Sequence, residues 1–360
     1  MLRQQILLRQ SAICMQRRVF VQIPTNQPSG GVKVANQLVN LFREHNFESY
    51  IVLPQEDYQA HWLIHPAPTI NIARMKELCG YEDIVIDNWP DKDTMKEARE
   101  LKATTKIVYC QGCTFLKSNT LVGDAFLTTD FGYTDIWVVS TDSLNYLKRT
   151  YPRIRNWHLI HPYFDLESIH NIAADIQREN KVLCLTRKGR SYIHLTQLML
   201  SPRIPFDVVH RQFTEKEFYA MCASSKFFLN TAIGIDDYHS FKNLVKVFLN
   251  MIHRKKRHTF LKPLVPPGHK EGFPLPPAEA AIAGSIVIGF AMGGGLEWMN
   301  PSTCFLAEDR SYSSLVQSFS EALSASDTQL ATMRQAAIAS IGKFDKEHTW
   351  RQIETFLQQK

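Results

Sequence analysis

In the segment EGFPLPPAEAAIAGSIVIGFAMGGGLEWM at 271–299, Glu271 and Glu279 stand eight positions apart, and Gly293, Gly294 and Gly295 follow a strand-like run. Pro276 and Pro277 favour a helix start, because proline suits the first helical turn. Glu279 then lies about three residues into that helix. A glutamate there has an ordinary structural use: it caps the helix and complements its dipole. Arg187 and Lys188 sit in CLTRKGR, at the end of another strand-like run, where a solvated basic turn is the ordinary reading. Gly30 and Gly31, in PSGGVK at 28–33, open a helix after a third apolar run. Backbone N–H groups at a helix start suit anions. Whether these positions serve one site depends on the elements that carry them.

Those elements alternate. RRVFVQIP (17–24) reads as a buried strand and GGVKVANQLVNLFREH (30–45) as a helix, with Val34, Leu38, Leu41 and Phe42 on one side. Strands are predicted at 49–54, 83–89, 106–110 and 135–140, with helices at 91–102 and 141–149 among those between them. The rhythm restarts after a strand and linker at 157–165. A helix at 166–179 leads to strands at 181–189, 206–213, 226–230, 285–290 and 303–308. Helices at about 191–200, 214–224, 276–284 and 312–323 cover this second set. Such βαβ repetition implies parallel sheets with helices on both faces. The expected fold is α/β, two doubly wound domains facing each other across a cleft, and ligands in such sheets bind beyond the carboxyl ends of the strands.

One stretch breaks the pattern. Residues 234–270 separate a strand from the glutamate segment, far more than the usual two to six residues of a βα connection. Within 235–270 there are eight Lys/Arg against two Asp, which accounts for the whole net charge of +6. Phe241, Leu244, Val245, Phe248 and Ile252 have helical spacing, and HRKKRH (253–258) follows. A basic amphipathic helix reads as a membrane-surface contact. A solvated surface hairpin is the plain alternative, and no nucleic-acid partner is expected.

Composition is ordinary for a soluble globular chain, with 44% hydrophobic and 21% charged residues, and 360 residues suit about two domains. No apolar run approaches the ~20 residues that span a bilayer. Seven cysteines, an odd number scattered through strand-like segments, fit reduced thiols of a cytoplasmic protein, at most peripheral to a membrane through 241–257. The first fourteen residues contain arginine and no acid; they read either as a transit peptide or as a start upstream of the one at Met15. Cys110 and Cys113 form a lone pair without a second pair at zinc spacing, and the pairs His61/His65 and His158/His161 supply two histidines each, too few for a metal site.

The glutamate segment resembles the E-x7-E signature of GT-B glycosyltransferases, most closely family 4 of retaining enzymes. The likeness runs through Glu271, Gly272, Phe273, Leu275, Pro276, Glu279, Ala280, Gly284, Val287, Gly294 and Glu297. It implies a GT-B architecture and a nucleotide-diphosphate sugar as co-substrate, with no cofactor and no metal; the Asp-x-Asp-like GIDD at 234–237 is discounted accordingly. It also implies roles. Glu271 would contact hydroxyls of the donor sugar and Glu279 the ribose, since a carboxylate accepts strong charge-assisted bonds from hydroxyls. Arg187 and Lys188 would hold the diphosphate, whose charge grows as the glycosidic bond breaks. Gly30 and Gly31, with Gly272, Phe273, Leu275 and Gly293–Gly295, would line the donor site.

Domains are expected at 1–165 on the acceptor side and 166–344 on the donor side, with a helix at 345–360 crossing back through Trp350, Ile353 and Phe356/Leu357. The expected activity is hexosyl transfer, with retention, to a glycan or lipid-linked saccharide, as in polysaccharide biosynthesis. Two departures from the family stand out: Arg187, Lys188 and Gly189 are adjacent where the family spaces them, and VYCQGCTFL (108–116) places Gln111 and Gly112 where a histidine is usual. A catalytically silent scaffold and a sugar-nucleotide epimerase on the same architecture are the alternatives.

Overall fold

The computed structural model describes residues 17–55, 59–88, 92–112, 131–186, 193, 196–197, 200, 203–231, 272–308 and 311–360. Glu271, Arg187, Lys188 and the 234–270 segment with its basic run lie outside the described residues, as do Cys113 and the first fourteen residues.

A first sheet contains β1 (Arg18–Gln22), β2 (Glu48–Leu53), β3 (Thr69–Asn71), β4 (Ile84–Asp87), β5 (Thr105–Cys110), β6 (Asp135–Val138) and β7 (Trp157–Leu159). Their order is β3-β2-β1-β4-β5-β6-β7, and every pairing is parallel. Helices α1 (Gly30–Glu44), α2 (Ile72–Leu78), α3 (Lys92–Glu100) and α4 (Thr141–Thr150) belong to it. The strands β4, β5 and β6 are buried throughout, which is why they read as continuous apolar runs rather than alternations.

After α5 (Leu166–Ala173), a second parallel sheet contains β8 (Glu179–Leu185), β9 (Phe206–Val209), β10 (Ser225–Asn230), β11 (Ile286–Phe290) and β12 (Phe305–Ala307), in the order β12-β11-β10-β8-β9. Its helices are α6 (Glu215–Ser224), α7 (Leu275–Ile282), α8 (Tyr312–Ser324) and α9 (Asp327–Gly342). The helix expected over 166–179 is shorter than its apolar pattern suggested, because the chain turns at Ala174 to enter β8.

In each sheet the strand order reverses once, between β1 and β4 in the first and between β8 and β10 in the second. Those reversals leave crevices at the carboxyl ends of the strands. Ser29 closes the β1 crevice by capping α1: its side chain accepts from the Val32 N–H at 3.1 Å. The last helix, α10 (Lys346–Leu357), leaves the second sheet and packs on the first. Its Phe356 meets Trp137 of β6 edge-on, with centroids 5.1 Å apart. Among the described residues, no helix is long and apolar enough to cross a membrane. Cys79, Cys110, Cys184, Cys222 and Cys304 are buried free thiols.

Candidate functional site

Helix α7 starts at Leu275, with Pro274 at the N-cap and proline in its first turn, so it begins earlier than the proline pair alone predicts. Glu279 therefore lies in the second turn and makes no cap. The ordinary structural reading of this glutamate is thus replaced by another: its side chain points to the opposite domain, where Lys33 of α1 donates to Glu279 Oε1. Both are buried, Lys33 at 7% exposure and Glu279 at 4%. The same ammonium lies 2.5 Å from Glu215 Oε1 and donates to Tyr219 Oη at 2.5 Å.

Glu215 is the better satisfied of the two carboxylates. Its Oε1 also accepts from Tyr219 Oη at 2.6 Å, and its Oε2 accepts the Ile64 N–H at 2.8 Å. Burial works against its charge, but Lys33, the Ile64 N–H and the Tyr219 hydroxyl outweigh it and hold the carboxyl below its ordinary range. For Glu279 burial dominates and pushes the carboxyl up, with Lys33 pulling the other way. Burial also lowers the charged form of Lys33, yet the two glutamates more than offset it and raise the ammonium's pKa. Among the described residues, no donor reaches Glu279 Oε2.

Glu279 lines a cavity of about 460 Å³ between the two domains. Its apolar wall is built by Trp62 from the first domain and by Leu185, Val209, Phe213, Phe218 and Leu275 from the second. His210, Arg211 and Gln212 follow β9 at its edge. The floor carries Ser29, Gly30 and Lys33 at the start of α1. Gly30 stands against Leu275, so the N-termini of α1 and α7 meet at this cavity; a Cβ on Gly30 would be 3.5 Å from Leu275 Cδ1. Thr186, beyond β8, is the last described residue before Arg187 and also lines it.

The remaining glycines adjoin this cavity without lining it. Gly31 O accepts from Asn88 Nδ2 at 3.0 Å and from Gln111 Nε2 at 3.2 Å, and Gln111 Nε2 donates to Asn88 Oδ1 at 2.5 Å. The carboxamide at 111 therefore fixes the α1 loop. On the other side the Gln111 carbonyl faces Gly272 so closely that a Cβ there would lie 1.8 Å from its oxygen. Gly272 O accepts the Gly294 N–H at 2.7 Å, which ties the glutamate loop to the short 3₁₀ turn Gly293–Glu297. The structure thus brings Gly30, Gly31, Gly272, Phe273, Leu275, Glu279 and Gly293–Gly295 into one region. Phe273 itself packs away from the cavity, near Phe344 and His161.

Sequence reasoning missed Lys33, Glu215, Tyr219 and Trp62 as site residues. Lys33 and Glu279 are 246 positions apart, and no local pattern announces their pairing. The Thr214–Glu217 capping box, by contrast, advertises only a helix start at Glu215.

A second interdomain cluster surrounds His161. Gln352 of α10 accepts the His161 N–H through Oε1 at 2.9 Å, so its Nε2 is the amide nitrogen that donates to His161 Nδ1 at 2.9 Å. His161 Nε2 then carries the proton and donates to Glu297 Oε2 at 2.8 Å. Glu297 Oε1 accepts the Thr141 N–H at 2.7 Å. Burial opposes the charge of Glu297, but the His161 bond and its neighbours win and hold the carboxyl low. A carboxyl held low gives stability that is present above the ordinary carboxylate range and lost as pH falls through it. Glu297→Gln is accordingly expected to lose about 1 kcal/mol at neutral pH, and the deficit to vanish in acid. Urea titrations at two pH values read both. His158 faces Asp135 instead, at 2.9 Å, so His158 and His161 do not share a site.

Neither a family model nor a curated protein sequence matches the chain. Solved structures do match in shape. HepE of Anabaena, in complex with UDP and glucose, aligns at TM-score 0.65 and 12% identity over 96% of this chain and 100% of its own. Sucrose-phosphate synthase of Thermosynechococcus elongatus aligns at 0.62 and 11%, over 96% of this chain and 99% of its own. A glycosyltransferase of Rickettsia africae aligns at 0.64 and 10%, over 96% and 98%. The fold is therefore that of GT-B proteins: two Rossmann-like domains.

Proposed function

We propose that this protein is a glycosyltransferase. In this reading it moves a hexosyl group from a nucleoside-diphosphate sugar to a glycan or a lipid-linked saccharide, with retention, as the resemblance to family 4 implies. The observation that carries the reading is Glu279: a buried carboxylate at an apolar interdomain cavity, with one oxygen that no donor reaches among the described residues. That oxygen suits a ribose hydroxyl, and the wall of Trp62, Val209 and Phe213 suits the flat apolar faces of a base. HepE, of the same fold, binds UDP and glucose, so uridine nucleotides are the first ligands to test.

The remaining roles follow from position. The N-terminus of α1, where Gly30 and Gly31 carry backbone N–H groups, lies at the cavity where a diphosphate would sit, and helix starts favour anions. Arg187 and Lys188 are assigned by sequence to the same phosphates, and Glu271 to the sugar. As the bond from the anomeric carbon to the phosphate oxygen breaks, the acceptor hydroxyl attacks from the same face through an oxocarbenium-like state. Its proton passes to the departing phosphate oxygen, whose charge the fixed cations and N–H groups stabilise. Glu279 acts by holding the donor in orientation.

The test is a melting-temperature panel of nucleoside diphosphates and nucleotide sugars on wild type and Glu279→Ala. A ligand that binds only the folded state raises the melting temperature. The expected result is a rise with one nucleotide family, with affinity about tenfold weaker in Glu279→Ala, as loss of one charge-assisted bond implies. No rise with any nucleotide would overturn the donor reading and favour a silent scaffold.

A further inference from the structure

The ammonium that serves Glu279 comes from the other domain, and no ligand is needed to place it. Lys33 reaches from the first turn of α1 across the cleft and divides its donors among Glu279, Glu215 and Tyr219. It also lies over the Tyr219 ring, 4.9 Å from the centroid. Two carboxylates thus share one cation in a buried site. Their claims on it are unequal. Glu215 keeps the Ile64 N–H and the Tyr219 hydroxyl whatever Lys33 does, whereas among the described residues the only other hydrogen-bond donor to Glu279 is Tyr219 Oη, at 3.4 Å. Both carboxylates lean on Lys33, but only Glu215 has other close donors to fall back on.

We propose that Lys33 is a positioning residue for the nucleotide: it keeps Glu279 a carboxylate and leaves Oε2 as the acceptor for a ligand hydroxyl. The inference rests on the donor-site reading above and adds to it a requirement that the first domain be docked before Glu279 can work. Among the described residues, the other titratable groups near the cluster are Tyr219 and Cys222 on α6, Tyr163 near Glu215, Asp165 acting on Tyr219, and His210 and Arg211 at the edge of the cavity. Burial raises both Tyr219 and Cys222, so neither supplies a charge near neutrality.

Without the ammonium, two like charges face each other in the same buried site, and the less satisfied one takes up a proton. In Lys33→Met that residue is Glu279. A protonated Glu279 forms only a neutral hydrogen bond to a hydroxyl, weaker than a charge-assisted one. The folded state also holds a proton that the unfolded chain gives up, so the variant loses stability relative to wild type as pH rises.

Two measurements test this. UDP affinity is taken by calorimetry from about pH 6 to about pH 8.5 for wild type, Lys33→Met and Lys33→Arg. Lys33→Met is expected to bind about tenfold more weakly at the acid end, with the gap narrowing as pH rises, and Lys33→Arg to restore a wild-type profile. Melting temperatures without ligand are taken over the same range, with Lys33→Met/Glu279→Gln added. The single Met variant should fall progressively below wild type as pH rises, and the double variant should run parallel to wild type. A Lys33→Met affinity deficit that is constant in pH would overturn the proposal and leave Lys33 a structural tie. If UDP fails to bind wild type, the donor reading fails by itself. The ligand-free melting curves then decide on Lys33: divergence repaired by Glu279→Gln sustains the coupling, and parallel curves refute it.

Discussion

Gly272→Ala is expected to weaken binding of the nucleotide identified by the melting panel by at least about 100-fold. The added Cβ would lie 1.8 Å from the Gln111 carbonyl oxygen, 2.6 Å from its carbon and 2.7 Å from Val139 Cγ2. Two of those three atoms are backbone at the end of β5, so no side-chain rotation relieves the contact. The loop at 272 must withdraw instead. It takes with it the 2.7 Å bond from Gly294 and the start of α7, three residues before the helix that bears Glu279 begins. A displacement on the order of 1 Å at a positioning group costs about two powers of ten, and forced overpacking costs about 1–3 kcal/mol of stability. Calorimetry and urea midpoints measured on the same preparation would separate the two effects. Retention of wild-type affinity would mean that the loop at 272 moves independently of Glu279.

Trp350→Ala is expected to cost about 3–5 kcal/mol in urea unfolding, a large part of the total stability of an ordinary protein. The indole stacks on His45 at 3.6 Å and meets Phe42 and Phe47 edge-on at 5.9 and 6.2 Å. These three residues end α1 and lead into β2, so the indole closes the core of the first domain from the last helix of the chain. Trp350→Phe keeps an aromatic edge for Phe42 and should retain most of the stability. A loss below about 1 kcal/mol in the alanine variant would show that α10 rests on the first domain without contributing to its core.

The central strands β4, β5, β6 and β11 were legible because they are buried on two faces. Phe20, Ile86, Ile107 and Val138 have no polar alternation around them to disguise the runs. Strand β3 was not legible: Thr69–Asn71 is three residues long and half-buried. Helix α9 was missed for a different reason. Its buried positions, Leu330, Met333, Ala337 and Ile341, form a thin stripe, and alanines elsewhere blur the period. In the site, the glutamate segment carried the reading as far as one domain can. It could not show that Glu279 leaves its own helix start uncapped to meet a lysine of the other domain. Pairings of that kind are decided by the docking of two sheets, and the chain signals them only through residue types that serve equally well on a wetted surface.

The dependence of the first domain on Trp350 also sets an order in time. Phe42 and Phe47 leave the ribosome first, and the side chain that covers them is made some 300 residues later. At ordinary rates of synthesis that interval is roughly 15–60 s. Throughout it the nascent first sheet presents an apolar notch that its own sequence has no means to fill. Completion of the first sheet's core therefore waits for α10, and the two domains mature together although they are made in succession.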